Sequence, residues 1–409
     1  MKSPAVDFPG NGGPGVKKTT LLSFVAAPPL RFSANRCTGP LRALTFAWPF
    51  FASATIIWPF FGHDAMHSWT SPFTGPLLQP TSTWSINLGS SIESSPVIGI
   101  NSNIFIGTRS SDLYCLDSIE GDRIKWVSKM AGCELSTPTL SNDGLKIYCG
   151  SLSGKFNSID TETGKKIWEY NSGGAIWGGS TPSSSGSVIY FGSFSPSGGY
   201  IHAVNTATGV SLWRSDTPDS VRAAPAIFEN KLYLGDYSGR FAVLSILTGH
   251  LLWQMTVGDS IRSSATIING LVMFGSYDNH LYALNITNGM QIWKAKTNNW
   301  IQASPAVDSK VGIVLVGSWD SYVYGFNLSN GIKLWSRNIG SAIWASAVID
   351  TTGKAYVGSE GGVVTCLNVT NGRLFWNRVF NGSIEAATII DDTGAIIIAS
   401  GNGTIGRYM

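Results

Sequence analysis

Charge is what this sequence has least of. Lys, Arg, Asp and Glu make up 13% of its 409 residues, where a soluble globular domain usually carries about a quarter. So small a share excludes disordered chains, coiled coils and helical bundles, all of which need charged, helix-forming residues on their wet faces. Cysteine is scarce too. The five present (Cys37, Cys115, Cys133, Cys149 and Cys366) are scattered, with no CxxC and no adjacent pair, so zinc, iron–sulfur and c-type haem sites lack their ligands. Cys115 and Cys366 hold equivalent places in YCLD and TCLN and read as buried strand cysteines. Neither a G-x-S-x-G elbow nor a P-loop occurs, which leaves hydrolase and nucleotidase readings without support. In place of charge stand 47 glycines and 15 tryptophans, which with many Ser, Thr and Asn favour short strands joined by tight turns.

The little charge there is divides unevenly. Residues 1–80 hold six basic residues (Lys2, Lys17, Lys18, Arg31, Arg36 and Arg42) against Asp7 and Asp64, leaving 22 basic and 23 acidic residues in the remainder. The bulk of the chain is neutral and has no basic stripe, so nucleic acid is not an expected partner. Residues 1–42 are rich in Pro, Gly and basic residues without apolar periodicity, and are expected to be disordered or removed. Ala43 to Phe61 then runs 19 residues without a charge. A membrane helix needs about 20 apolar residues, but Pro49 and Pro59 would kink it. A secretory signal suits the apolar core followed by Ala52-Ser53-Ala54, and an organelle presequence suits the basic, acid-poor start. We take residues 1–57 as an export leader and 58–80 as a lead-in. The expected location is extracytoplasmic (secreted, periplasmic or membrane-anchored), with an organelle as the alternative. Membrane contact would come only through an uncleaved leader.

From residue 81 onward one unit repeats, marked by Trp84, Trp126, Trp168, Trp213, Trp253, Trp293, Trp335 and Trp376 at intervals of 40 to 45 residues. Each unit parses into four short strands. In Leu135 to Trp168 these are STPTLS, KIYCG, KFNSID and a last strand carrying the Trp, joined by NDG, SLSG and TETG. In the last turn Asp160 can accept from the backbone two residues on, and Gly164 supplies a left-handed conformation. The turn recurs as NTATG, SILTG, NITNG, NLSNG and NVTNG. Four antiparallel strands per 42 residues is the pattern of a propeller blade, which must stack on neighbours in a ring to bury both faces. Each Trp would bury roughly 150–250 Å² between blades, worth a few kcal/mol as an upper estimate. Eight inner strands are counted, and the eighth unit ends after its third strand. The expected fold is therefore an all-β, eight-bladed propeller over 81–409, closed by an N-terminal strand around Trp84 that completes the last blade.

The turns D/N-x-x-T/N-G-x-x-x-W, with GS after the second strand (YCGSLSG, MFGSYDN, LVGSWDS, YVGSEGG), resemble the pyrroloquinoline-quinone (PQQ) repeat family of eight-bladed quinoprotein-type propellers. WPFFGHDAMHSWTSPFTGP (58–76) resembles the lead-in before such propellers. The resemblance implies one of two functions: a dehydrogenase holding PQQ and calcium over the channel, or a quinone-free scaffold such as the outer-membrane assembly lipoprotein of bacteria. The dehydrogenases, as the resemblance implies, use a vicinal disulfide, a Trp, an Arg, oxygen ligands on calcium and an Asp base. Here the vicinal cysteines are missing and the turns are brief.

The resemblance places ligands at the channel mouth. Aligned inner-strand starts give a ring of Glu93, Leu135, Trp177, Arg222, Arg262, Gln302, Trp344 and Glu385. The turns between second and third strands add Arg109, Tyr237, Tyr277, Trp319 and Glu360, and Trp300 precedes one inner strand. Acids on blades eight and one face arginines on blades four and five. The functional reading is a cup for an anionic or flat ligand; the bland one is ion pairs with space-filling Trp. Glu93 and Glu385 lack a third oxygen ligand for calcium. His63 and His67, four apart, lack a third zinc ligand and read as packing residues. Asn285, Asn327, Asn368, Asn381 and Asn402 begin N-x-S/T sequons, three of them in the repeated turn, where Asn serves as the turn former. The function expected is a non-enzymatic, monomeric binding or scaffold propeller with no catalytic residues, metal or cofactor. Its mouth would take a protein or a small anionic or aromatic ligand. The alternative is a PQQ- and calcium-dependent dehydrogenase of alcohols or sugars, or a degenerate quinone-binding descendant.

Overall fold

Strand after strand in this chain is too short to stand alone, and eight stacked sheets are how the sequence buries them. The structure, a computed structural model, describes residues 57–121, 123–129 and 136–409. The expected leader, apart from Ile57, and Leu135 lie outside the described residues. Each of the eight sheets has four antiparallel strands, in sequence order in seven of them. They are numbered blades 1–8 from the sheet that starts at Val97. In blade 2 the strands are Thr139–Leu140, Lys146–Gly150, Lys155–Asp160 and Lys166–Asn171. The middle two are buried on both faces and the last alternates, as stacking on neighbours requires. The innermost strands are shorter than the sequence pattern suggested, with only two or three residues each. The aligned mouth residues therefore sit in the loops entering them.

Ring closure is as expected. Ser82–Asn87 pairs antiparallel with Thr404–Tyr408, and this sheet continues through Ile396–Ala399 to Ile389–Ile390. The sheet's outer strand thus comes from one end of the propeller sequence and its other three from the opposite end, leaving no gap in the ring.

Adjacent blades are joined through the periodic tryptophans. Trp126 Nε1 donates to Thr161 O at 3.0 Å, Trp168 to Thr206 O at 3.0 Å and Trp293 to Leu328 O at 3.0 Å. Trp213 and Trp335 do the same to Ile246 O and Val369 O. Trp84, on the borrowed strand, reaches Ser118 O at 2.7 Å. Each acceptor lies just beyond the third strand of the following blade. Gly164 in that turn has φ +69° and lies on the Trp126 ring, where a Cβ would come within 2.6 Å of Cδ2. Asp160 Oδ1 accepts from Thr163 N at 2.8 Å, one residue beyond the partner read from the sequence. Trp253 keeps the glycine contact, with Gly289 against its ring, yet its Nε1 has no partner; nothing in the structure explains the exception.

The segment 57–80 runs round the inner strands at the end of the channel away from the mouth. Trp58 pairs with Ile98 of blade 1, and Pro59 O accepts Leu140 N of blade 2 at 2.8 Å. Carbonyls of Ala65, Met66, Ser68 and Trp69 accept in turn from Ile227, Ile267, Val307 and Ile349 of blades 4 to 7. Trp376 does not use a turn of the following blade. Pro76 O of this segment accepts its Nε1 instead, at 3.2 Å.

Cys115 and Cys366 are buried free thiols, as expected, and burial pushes each up to about 12. Replacing Trp253 with Ala removes packing with no hydrogen bond to lose, so urea unfolding should show a loss of about 3–5 kcal/mol. Leu247→Ala, at a side chain 76% exposed, should shift stability by less than about 0.5 kcal/mol.

Candidate site at the channel mouth

One loop position, four residues before an inner strand in most blades, projects into the channel mouth. Glu93, Trp177, Arg222, Arg262, Gln302, Trp344 and Glu385 together line one cavity of about 380 Å³. It continues into a narrower space of about 150 Å³, with Phe61 and Trp69 of the 57–80 segment among the residues lining it.

Two residues further along each loop is a tier of small residues: Ser95, Thr137, Gly179, Ala224, Ser264, Ser304, Ser346 and Ala387. Where a hydroxyl is present it accepts from the backbone of the preceding blade. Ala224 N donates to Ser264 Oγ, Ser264 N to Ser304 Oγ and Ser304 N to Ser346 Oγ at 2.9 to 3.0 Å. Across the closure, Ala387 N donates to Ser95 Oγ at 3.0 Å. Buried backbone donators are thus satisfied between blades, and the loops carrying the mouth residues are held in register.

Above this belt the rings and guanidiniums form a continuous stack. Arg222 Cζ lies 3.3 Å from the Trp177 ring centroid and 4.7 Å from that of Tyr237. Arg262 Cζ lies 4.4 Å from Tyr237 and 4.3 Å from Tyr277. Tyr277 stacks on Trp300 at 4.5 Å, Trp300 meets Trp319 at 4.8 Å, and Trp319 stacks on Trp344 at 4.9 Å with planes 7° apart. Tyr277 Oη donates to Gln302 Oε1 at 2.5 Å. Burial lowers the Arg222 guanidinium from its usual value, with Tyr237 opposing and Arg262 adding to the effect; the group stays protonated. Tyr277 is pushed up to about 12 by burial, against the pull of Arg262. Trp177 Nε1, Trp319 Nε1, Trp344 Nε1, Tyr237 Oη and Arg262 Nε are buried without a hydrogen-bond partner, at a cost of about 1–3 kcal/mol per group.

The opposite arc is acidic. Arg109 Nη1 pairs with Glu93 Oε1 at 2.7 Å, and Ser383 Oγ donates to Glu385 Oε1 at 2.8 Å. Burial raises the Glu385 carboxyl; the Ser383 bond opposes this, while Glu93 and Glu360 raise it further. Ion pairing therefore describes Arg109 and Glu93 but not Arg222 or Arg262, which form none among the described residues. Trp177 and Trp344 are half-buried, with Arg222 and Trp319 against them.

Three aromatics escaped the sequence reading. Phe194 follows Gly192-Ser193 as Trp319 follows Gly317-Ser318, but blade 3 extends this hairpin through Val188–Ser195 and Gly198–Asn205. Phe61 and Trp69 carried no periodic signal. His67, beside them, is fully buried with Nδ1 3.1 Å from Ala265 O, and burial pushes it down to about 4.

The family model described as outer membrane protein assembly factor BamB matches residues 197–408, more than half of the 409-residue chain. The chain belongs to this family. Curated relatives of the BamB-family chain include the lanthanide-dependent methanol dehydrogenase of Methylacidiphilum fumariolicum (strain SolV), 29% identical over 126 residues, which are 29% of this chain and 20% of the enzyme. The BamB of Xanthomonas campestris pv. campestris is 30% identical over 95 residues, 20% of this chain and 21% of that protein. The matches span about a fifth of these relatives. BamB from Moraxella catarrhalis superposes with TM-score 0.68 at 19% identity, over 81% of this chain and all of that one. The quinohemoprotein alcohol dehydrogenase of Comamonas testosteroni gives 0.71 at 15% identity, over 87% and 81%. At such identities these structures share the fold alone.

The dehydrogenase branch implies PQQ with a metal ion. No group of three or more His, Cys, Asp or Glu residues is placed to hold a metal among the described residues. The carboxylates at the mouth are Glu93, Glu360 and Glu385, with the Arg109 cation set against Glu93 at 2.7 Å. An ion that takes six to eight oxygens does not fit that set.

Glu385 offers a pH test. A carboxyl raised in the folded state costs stability when ionised, fully so above its folded value, and the cost disappears as pH falls toward the unfolded value. Glu385→Gln should therefore raise the Tm at neutral pH, and the gain over wild type should shrink through the carboxylate range.

Proposed function

We propose that this chain is a non-enzymatic binding propeller that captures a ligand or protein partner at its channel mouth, outside the cytosol. One observation carries the reading. Arg222 and Arg262 stand in a stack of aromatic rings with no carboxylate partner, so two fixed positive charges face the cup with in-plane N–H groups unclaimed by an ion pair. Large aromatics beside arginine in a concave, half-buried setting are the residue types that dominate binding energy at interfaces. A cup of about 380 Å³ lies within the range of small-ligand sites. Kinship with an assembly factor supports a protein partner. The test is capture from native extract by the wild-type chain and by a Trp177→Ala/Arg262→Ala/Trp344→Ala variant of matched Tm. Loss of the captured protein is expected; retention would place the site elsewhere.

Kinship with a methanol dehydrogenase favours a second reading, a PQQ-dependent alcohol or sugar dehydrogenase or a quinone-binding descendant. Arg222 and Arg262 would suit an acid-bearing planar ligand, whereas the carboxylate set does not suit the metal. Titrating purified protein with PQQ and calcium, following quinone absorbance and dye-coupled alcohol oxidation, separates the two. The binding-module reading expects no turnover, and saturable binding with turnover would replace it.

A further inference from the structure

The mouth has two ends. Arg222 and Arg262 belong to blades 4 and 5, and Glu385 and Glu93 to blades 8 and 1. In a ring of eight these are opposite sides. Glu360 adds a third carboxylate beside Glu385 and raises its carboxyl further, and Arg109 offsets one of the three. The cup is thus close to neutral as a whole and strongly polar across its width.

Resting on the binding reading above, we infer that the mouth takes a zwitterionic ligand, with its anionic group at Arg222 and Arg262 and its ammonium at Glu385 and Glu93, as a short peptide with free termini would present them. Three features support this. Each guanidinium carbon lies within 4.7 Å of two ring centroids, Trp177 and Tyr237 for Arg222, Tyr237 and Tyr277 for Arg262, and neither arginine has an acid partner among the described residues, so a donor edge is left for a ligand. That edge matches a carboxylate in the paired geometry arginine favours. At the other end, Glu385 is half-buried among carboxylates, where a cation would relieve both desolvation and repulsion. Finally, a simple anion attracted to one arc is repelled by the other, and so is a simple cation. A ligand bearing both charges gains at each end, and apolar walls strengthen the field between them. The two charged arcs stand on opposite sides of the ring, so the ligand lies across the cup.

The probe is the tripeptide Ala-Phe-Ala with free termini, alongside its N-acetylated and C-amidated forms, titrated into the purified chain by calorimetry and tryptophan fluorescence. The free peptide should bind, and each blocked form should bind at least tenfold more weakly. Arg262→Gln should erase discrimination against the amide while keeping discrimination against the acetylated form, and Glu385→Gln should do the reverse. The wild-type series needs no variant, so a misfolded substitution leaves the test intact. Equal binding of all three peptides would overturn the zwitterion assignment. So would peptides that fail to bind while the simple anion benzoate binds at the mouth, an outcome that leaves the binding reading standing. Failure of every probe, with partner capture unchanged in the triple variant, would remove both.

Discussion

The indole of one blade clamped by the turn of the next is the interaction on which the rest of the structure depends. A four-stranded sheet with two apolar faces has no stable existence alone, and its neighbour must be fixed in rotation as well as in contact. The indole does both. Its ring takes up the flat space that Gly164 and its counterparts leave by having no Cβ, and its Nε1 finds the carbonyl just beyond the third strand. Apolar area supplies most of the free energy; the hydrogen bond, worth about 1 kcal/mol net, supplies direction. Repeated around the ring, a directional contact turns eight small sheets into one body.

Rigidity at the outer circumference explains what the mouth can hold. Two arginines at neighbouring positions would normally splay apart or seek acids, and burying unpaired charge is costly. Here the loops are pinned by hydroxyl-to-backbone bonds between blades, and the rings between the guanidiniums replace part of the lost hydration by cation–π attraction. The acids that could have neutralised them belong to the opposite blades. Charge separation across the mouth therefore follows from blade order, which the ring closure fixes.

Blade number, closure and the tryptophan role were legible because each leaves a trace in the repeat: one Trp per blade, a turn glycine in nearly every one, and one final unit of three strands. The mouth ring was legible for the same reason, as a position counted from each inner strand, although the strands themselves proved shorter. What one residue does at such a position was not legible. Periodicity places Arg222 and Trp177 at equivalent points of adjacent blades, but whether they repel, pair or stack depends on angles between blades that no single repeat encodes. Phe194 was hidden by an extended hairpin that broke the expected spacing. Phe61, His67 and Trp69 lie outside the repeat and had no phase to be read from.

That non-repeating segment has a consequence for access. Innermost strands of two or three residues border the channel, and a polar channel of this kind would ordinarily fill with water from both ends. Residues 57–80 supply carbonyls to six blades at one end and place Phe61 and Trp69 inside. They also provide, through Pro76, the acceptor for Trp376. One segment thus both receives the Trp376 indole and lines the inner end of the channel. Because both tasks fall on the same residues, opening the channel from that side would cost the ring part of its closure. A ligand at the arginine- and glutamate-lined mouth, by contrast, meets only loop residues and can enter and leave without disturbing that segment.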